Sequence, residues 1–174
     1  MAARGVPAFG SVGKNAGKLA MLGGTPVRAK PWPTWPVWDP SAEESVLEIL
    51  RSGNWYRGQG KTVTQFEEAY AKLLGAKRCV AMVNGTNSLL TALHMLDIGV
   101  GDEVIVSPYT FIATCNVVLN SCALPVFADT DPETFQINPD KIEERITENT
   151  RAILPVHILG IPANMDRINE IAKK

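Results

Sequence analysis

Cysteine and histidine are scarce in this chain, and neither sign of charge prevails. Its 174 residues hold three cysteines, two histidines and 17 Lys+Arg against 18 Asp+Glu. Each shortage excludes something. An odd set of cysteines, Cys79, Cys115 and Cys122, at intervals that match no zinc pattern, builds neither a disulfide framework nor a metal site. His94 and His157 are too far apart in the chain for an H-x-x-x-H ligand pair, so no metal centre is expected. No run of about 18 apolar residues occurs, so nothing is expected to span a bilayer. A net charge of -1 supplies no field for nucleic acid. The cysteines read as reduced thiols packed in a core, with Cys115 and Cys122 on one helix face. That implies a reducing compartment, hence the cytoplasm. The opening MAARGVPAFG has no apolar core of signal-peptide length.

What is present is unevenly distributed. Residues 1–38 carry five basic residues (Arg4, Lys14, Lys18, Arg28, Lys30) and no acid. Six of the 14 glycines fall by Gly24, so residues 1 to about 20 read as a flexible extension. Residues 26–40 hold five prolines and three of the four tryptophans, Trp32, Trp35 and Trp38. Proline at that density forbids a helix and favours an extended arm. The indoles call for burial, so the arm is expected to lie on the protein body or on a partner subunit.

From Asp39 onward, helical and strand patterns alternate. Ser41 with Glu44, and Thr64 with Glu67, have capping-box spacing, and Gly75 reads as a helix stop. Strands are expected at Cys79–Val83, Glu103–Ser107, Leu124–Ala128 and Arg151–His157. Helices are expected at Thr86–Leu96, Thr110–Cys122, from Asn138-Pro139 onward and over Asn164–Lys174. Short strands alternating with helices predict βαβ units, an α/β fold and a mostly parallel sheet. No internal repeat is visible.

Two segments carry chemistry. In Val80-Ala-Met-Val-Asn-Gly-Thr-Asn-Ser88 a predicted strand runs through Asn84-Gly85 into a helix. The first amides of a helix lack internal partners and carry partial positive charge, which suits an anion. Gly85 admits close approach, and Thr86 and Ser88 add hydroxyls. Taken alone, the same residues also fit a plain helix cap by Thr86 after an Asn-Gly turn. In the second segment a strand ends at Ser107-Pro108, and Tyr109 and Phe111 follow in the loop. The carboxyl ends of parallel strands are where open α/β sheets bind ligands, so either ring could stack on a planar group or simply close the core. Gly60-Lys61-Thr62 is not a P-loop, because Trp55 stands where the first glycine belongs. No G-x-G-x-x-G follows a strand and no G-x-S-x-G elbow exists.

Several stretches together resemble one family in order and spacing. They are Gly85-Thr86, Gly101-Asp-Glu-Val-Ile-Val106, Thr110-Phe-Ile-Ala-Thr114, Pro125-Val-Phe-Ala-Asp129, Thr150-Arg-Ala-Ile-Leu-Pro-Val-His157 and Gly160-Ile-Pro-Ala-Asn-Met-Asp166. The chain resembles, over about residues 20–174, the N-terminal part of a DegT/StrS-type sugar aminotransferase, a pyridoxal-phosphate enzyme of fold type I. Leu22-Gly-Gly-Thr-Pro-Val-Arg28 and the tryptophan arm are most similar to glutamine:scyllo-inositol aminotransferases. The resemblance implies a three-layer, mostly parallel α/β large domain, incomplete here, over residues 39–174, preceded by the extension and Pro/Trp arm of residues 1–38. It implies that Gly85, Thr86 and Asn87 hold the phosphate of pyridoxal 5'-phosphate and that Phe111 stacks on its ring. Thr114 lies near the cofactor, Asn116 near the substrate, and Tyr56, in the Gly53–Gly58 loop, reaches substrate.

The resemblance also implies a gap. The family's catalytic lysine lies in a later Ser-x-x-Lys motif and the carboxylate for the pyridine nitrogen in a later Glu-Asp-x-Ala segment. Neither motif falls within residues 39–174, and Lys61, Lys72, Lys77 and Lys141 stand in other contexts. The implied parent activity moves an amino group from glutamate or glutamine to a keto-sugar nucleotide or keto-cyclitol, in a homodimer. The chain by itself is expected to be inactive and, with faces left uncovered, poorly soluble. Two other readings stay open: a non-catalytic remnant that binds phosphate ligands or associates through the tryptophan arm, and a nucleotide-binding α/β domain.

Overall fold

A computed structural model describes residues 17–174. The expected flexible extension lies, up to residue 16, outside the described residues. Two compact units divide between Gly60 and Lys61.

The first unit opens with a 3₁₀ turn, Ala20–Leu22, closed by Gly23 at φ 89°, a left-handed conformation that glycine adopts without strain. The arm that follows has no regular structure up to α1, Pro40–Ser52. Asp39 caps α1, its carboxylate accepting from the Ser41 amide at 2.9 Å. The expected Ser41–Glu44 box therefore does not open the helix. Pro40 is pre-set for the first helical position and its missing N–H is no loss there, so the residue before it takes the cap. Within this unit, Trp32, Trp35 and Trp38 are all exposed.

The second unit begins with α2, Thr62–Leu74. It starts ahead of the expected Thr64 cap, with Lys61 at the N-cap and no side-chain bond. Glu67 is instead buried and accepts the Ala81 amide at 2.9 Å. Gly75 ends the helix at φ 66°, its N–H turned back to Ala71 and Lys72. The run Cys79–Val83 belongs to no strand. A strand exists through its neighbours, and among the described residues none lies beside this run. Its recorded tether is the Glu67 carboxylate.

Then follow α3 (Gly85–Met95), β1 (Glu103–Val106), α4 (Ala113–Asn120), β2 (Leu124–Phe127), α5 (Pro139–Glu143), β3 (Thr150–Leu154) and α6 (Met165–Ile171). The strands form a parallel sheet in the order β2-β1-β3. Pro125 stands opposite Val104 in β2, while the flanking Leu124 and Ala128 amides donate to Asp102 and Val106. The β1–β3 register slips between Glu103 and Val104, leaving Arg151 as an extra residue, near Asp102 at 3.5 Å.

Side chains on β1 alternate between two cores, as a pleat requires. Val104 and Val106 face Leu93, Val117 and Val118 of α3 and α4. Ile105 faces the other way, into Ile142, Ile168 and Ile171 of α5 and α6. The result is the expected three-layer α/β arrangement, with Val104, Ile105 and Val106 of the central strand fully buried. The helix at Asn138-Pro139 starts as expected, with Asn138 holding the Asp140 amide, and at the expected start of the last helix Asn164 holds the Arg167 amide. The expected Thr110–Cys122 helix is shorter. Cys122 lies beyond α4 at φ 58° and is exposed, so it does not share a helical face with half-buried Cys115. All three thiols are free.

Candidate functional site

The site is built where β1, β2 and β3 stop. Helix α3 ends at the turn into β1, and α4 begins where β1 ends, so both run back along one face with their N-termini at the carboxyl edge of the sheet.

At the start of α3, Asn84 is extended (φ -165°) and its side-chain oxygen accepts from the Asn87 amide at 2.9 Å. The same oxygen takes the Asn87 side-chain amide at 3.0 Å. Ser88 donates from both amide and hydroxyl to the Asn84 carbonyl. The plain-cap alternative is therefore met in part, but the cap is Asn84, not Thr86. Among the described residues, the Gly85 and Thr86 amides have no protein acceptor. A Cβ placed on Gly85 would meet nothing within 4 Å. Two amides without a protein acceptor thus stand at the positive end of an eleven-residue helix, beside a glycine with open space where a side chain would be, an arrangement that fits an anionic phosphate. The Asn87 side chain turns one N–H back onto Asn84.

Beyond β1, buried Ser107 takes the Tyr109 amide on its hydroxyl at 3.3 Å and fixes the turn through Pro108. Phe111 is 75% exposed and free to cover a planar group. Thr114 is buried with its hydroxyl 2.8 Å from that of Thr110, so it braces the loop. Asn116 is exposed on the first turns of α4. Tyr56 belongs to the first unit, where its carbonyl accepts the Gln59 and Gly60 amides and its ring is exposed. A side chain on Gly58 would strike that ring.

Three further residues organise this edge without an advance signal in the sequence. Phe135, at φ 61°, meets Tyr109 edge to face at 6.0 Å. Gln136, 5% exposed, grips the backbone of Ile158 twice, accepting its N–H at 3.3 Å and donating to its carbonyl at 3.2 Å. His157 accepts the Ala163 amide on Nδ1 at 3.0 Å. The loops after the three strands are thereby tied to one another or to the following helix. The turn that presents Phe135 rests on Asp131, whose carboxyl is held below the ordinary carboxylate range by the Thr134 amide, then by the Thr134 hydroxyl. Among the described residues no group of His, Cys, Asp or Glu could hold a metal ion. No helix there is long and apolar enough to cross a membrane.

Known proteins share this architecture. The chain is 40% identical over 164 residues to L-glutamine:2-deoxy-scyllo-inosose aminotransferase of Streptomyces lividus, a match covering 91% of this chain and 39% of that one. It superposes on the aminotransferase from Psychrobacter cryohalolentis with a TM-score of 0.78 at 40% identity, covering 82% of this chain and 36% of the other. NtdA from Bacillus subtilis, solved with bound cofactor PMP, matches with a TM-score of 0.73 at 38% identity over 75% of this chain and 30% of its own. The chain thus spans well under half the length of the relatives it matches, as expected for an incomplete fold type I large domain. Residues 38–174 match the DegT/DnrJ/EryC1/StrS aminotransferase family, and the chain belongs to that family.

Proposed function

We propose that this chain is the cofactor-binding front portion of a pyridoxal-phosphate-dependent aminotransferase. Its amino acceptor is a keto-cyclitol or keto-sugar nucleotide and its donor glutamine or glutamate. The donor and acceptor classes follow the Streptomyces lividus relative, whose name carries both. A cytoplasmic location and a homodimeric whole protein belong to the same reading. The observation that carries it is the start of α3, where the Gly85 and Thr86 amides have no protein acceptor and a side chain on Gly85 would meet nothing within 4 Å.

When bound, pyridoxal phosphate supplies an electron sink for moving an amino group. The chain's own residues bind and orient it. The Gly85 and Thr86 amides hold the phosphate, and Asn84 keeps the helix start rigid through Asn87. Phe111 lies over the ring, while Ser107 and Thr114 set the loop that carries it. Asn116 and Tyr56 serve the substrate. Lys72 sits in the last turn of α2 and Lys141 pairs with Glu144 at 2.6 Å. Neither stands at the start of α3, and we place the reactive amine outside this chain, which by itself does not turn over.

Titration of the chain with pyridoxal 5'-phosphate, followed by cofactor absorbance and by quenching of protein fluorescence, tests the reading. Saturable binding that Gly85→Asp abolishes is expected, because the added carboxylate occupies the anion position in open space. Binding unaffected by Gly85→Asp overturns it. A second reading, a non-catalytic association module, is favoured by the exposed tryptophans. It takes precedence if the chain self-associates yet ignores the cofactor.

A further inference from the structure

One buried side chain joins two of the loops at the carboxyl edge of the sheet. Gln136 lies in the loop after β2 and is 5% exposed. Its carboxamide accepts the Ile158 N–H at 3.3 Å and donates to the Ile158 carbonyl at 3.2 Å. That is the two-bond exchange of an antiparallel strand pair, made here by a side chain. The same nitrogen donates to the Thr134 carbonyl at 3.3 Å, within its own loop. Ile158 lies in the loop after β3, 22 residues along the chain. Because β1 runs between β2 and β3, the two loops so joined flank the one that carries Phe111.

Each end of this clamp adjoins a backbone conformation that few side chains adopt. Phe135, just before Gln136, stands at φ 61°, and Leu159, just after Ile158, at φ 55°. Left-handed backbone at residues other than glycine persists where its surroundings hold it. Phe135 then reaches the loop after β1, its ring meeting Tyr109 edge to face at 6.0 Å. Tyr109 is also held by the Ser107 hydroxyl, which takes its amide and donates to its carbonyl at 3.3 Å each. Phe111 follows two residues on, 75% exposed. Among the described residues it has no ring partner, so its place is set by the loop that carries it.

We infer that Gln136 is a positioning residue for the cofactor ring: through Phe135 and Tyr109 it holds the loop from which Phe111 covers that ring. The inference rests on the proposed function, in which Phe111 stacks on pyridoxal phosphate. Gln136 bonds to the loops after β2 and β3 and not to the start of α3. Its loss should therefore weaken the hold on the ring and spare the hold on the phosphate.

Gln136→Met keeps the length of the side chain and removes both bonds to Ile158. Without ligand, amide hydrogen exchange of the whole chain should quicken at Ile158 and also at Tyr109. With ligand, affinity for pyridoxal 5'-phosphate should fall roughly two- to tenfold, the worth of an aromatic contact. Affinity for inorganic phosphate should stay at the parent value. Phe135→Ala cuts the same connection one step on, and it carries the test where Gln136→Met does not fold. It should quicken Tyr109 but not Ile158, and lower the same affinity. In a Phe111→Ala background neither change should cost further affinity, because the ring they position is gone. Exchange that quickens at Ile158 with Tyr109 unmoved overturns the inference. So does a loss that adds in full to that of Phe111→Ala or falls equally on phosphate. Either result leaves the proposed function standing as long as the parent chain binds the cofactor. A parent chain that does not bind pyridoxal phosphate overturns the function and the positioning role together.

Discussion

The carboxylate of Glu67 accepts the backbone N–H of Ala81 at 2.9 Å. A mid-helix acid, 5% exposed, thereby fastens the run that leads into α3. Glu67→Ala strands that amide in a partly buried place, at a cost of about 1–3 kcal/mol. Urea denaturation should show a lower midpoint at unchanged slope. The variant should also bind pyridoxal phosphate more weakly, because the run leading into Asn84 is no longer pinned.

Asn84 is the second lever. Asn84→Ala removes the side-chain oxygen that takes two donors from Asn87 and should cost about 1 kcal/mol of stability, the usual worth of an N-cap. Asn84→Asp keeps the cap but places a carboxylate beside the proposed phosphate position. It should remain as stable as the parent while losing cofactor affinity, a separation that thermal melts and a cofactor titration resolve together.

Ile105 touches α5 and α6 while its neighbours Val104 and Val106 touch α3 and α4. Ile105→Ala opens a cavity in a fully buried place and should cost about 2–5 kcal/mol, against about 0.5–1.5 for Ile105→Val. Denaturant melts of the two variants check the ratio.

The turn at Asp131 sets a pH dependence. Its carboxyl is lowered in the folded chain by the Thr134 amide first and the Thr134 hydroxyl next. The unfolded state binds the proton more readily, so this contribution is present above the ordinary Asp value of about 3.9 and is lost as pH falls through the lowered folded value. Asp131→Asn should therefore flatten the acid limb of a stability–pH profile below about pH 4 and leave its neutral portion parallel to the parent's. Urea midpoints taken across that range decide it.

Much of the fold was legible because its signals are local. Asn138-Pro139, Asn164 and Gly75 act within one turn of the backbone, and the alternation of short apolar runs with helical stretches specifies the layers. The errors fall where two local signals compete or where a partner is distant. Asp39 outbid Ser41 because Pro40 follows it, and Glu67 left its capping box for an amide 14 residues away. Cys79–Val83 has the composition of a strand, but pairing is a property of neighbours that composition does not contain. In the site, the helix-terminus argument foresaw the open amides of Gly85 and Thr86. It could not foresee that the side chains of Asn87 and Thr114 would also bond to Asn84 and Thr110. Gln136 was invisible for the same reason, since its grip on Ile158 spans 22 residues.

Pro125 gives the sheet a direction of growth. Leu124 and Ala128 turn their amides toward β1, so with alternating backbone polarity residue 125 faces the outer margin, where proline has no hydrogen to offer. An incoming strand would find a gap in the donor row on that side. The margin of β3 has no such interruption, with five non-proline residues from Thr150 to Leu154. Any further strand of the whole protein, or any unwanted one from a neighbour, is thus steered to β3, and β2 serves as the sheet's finished border.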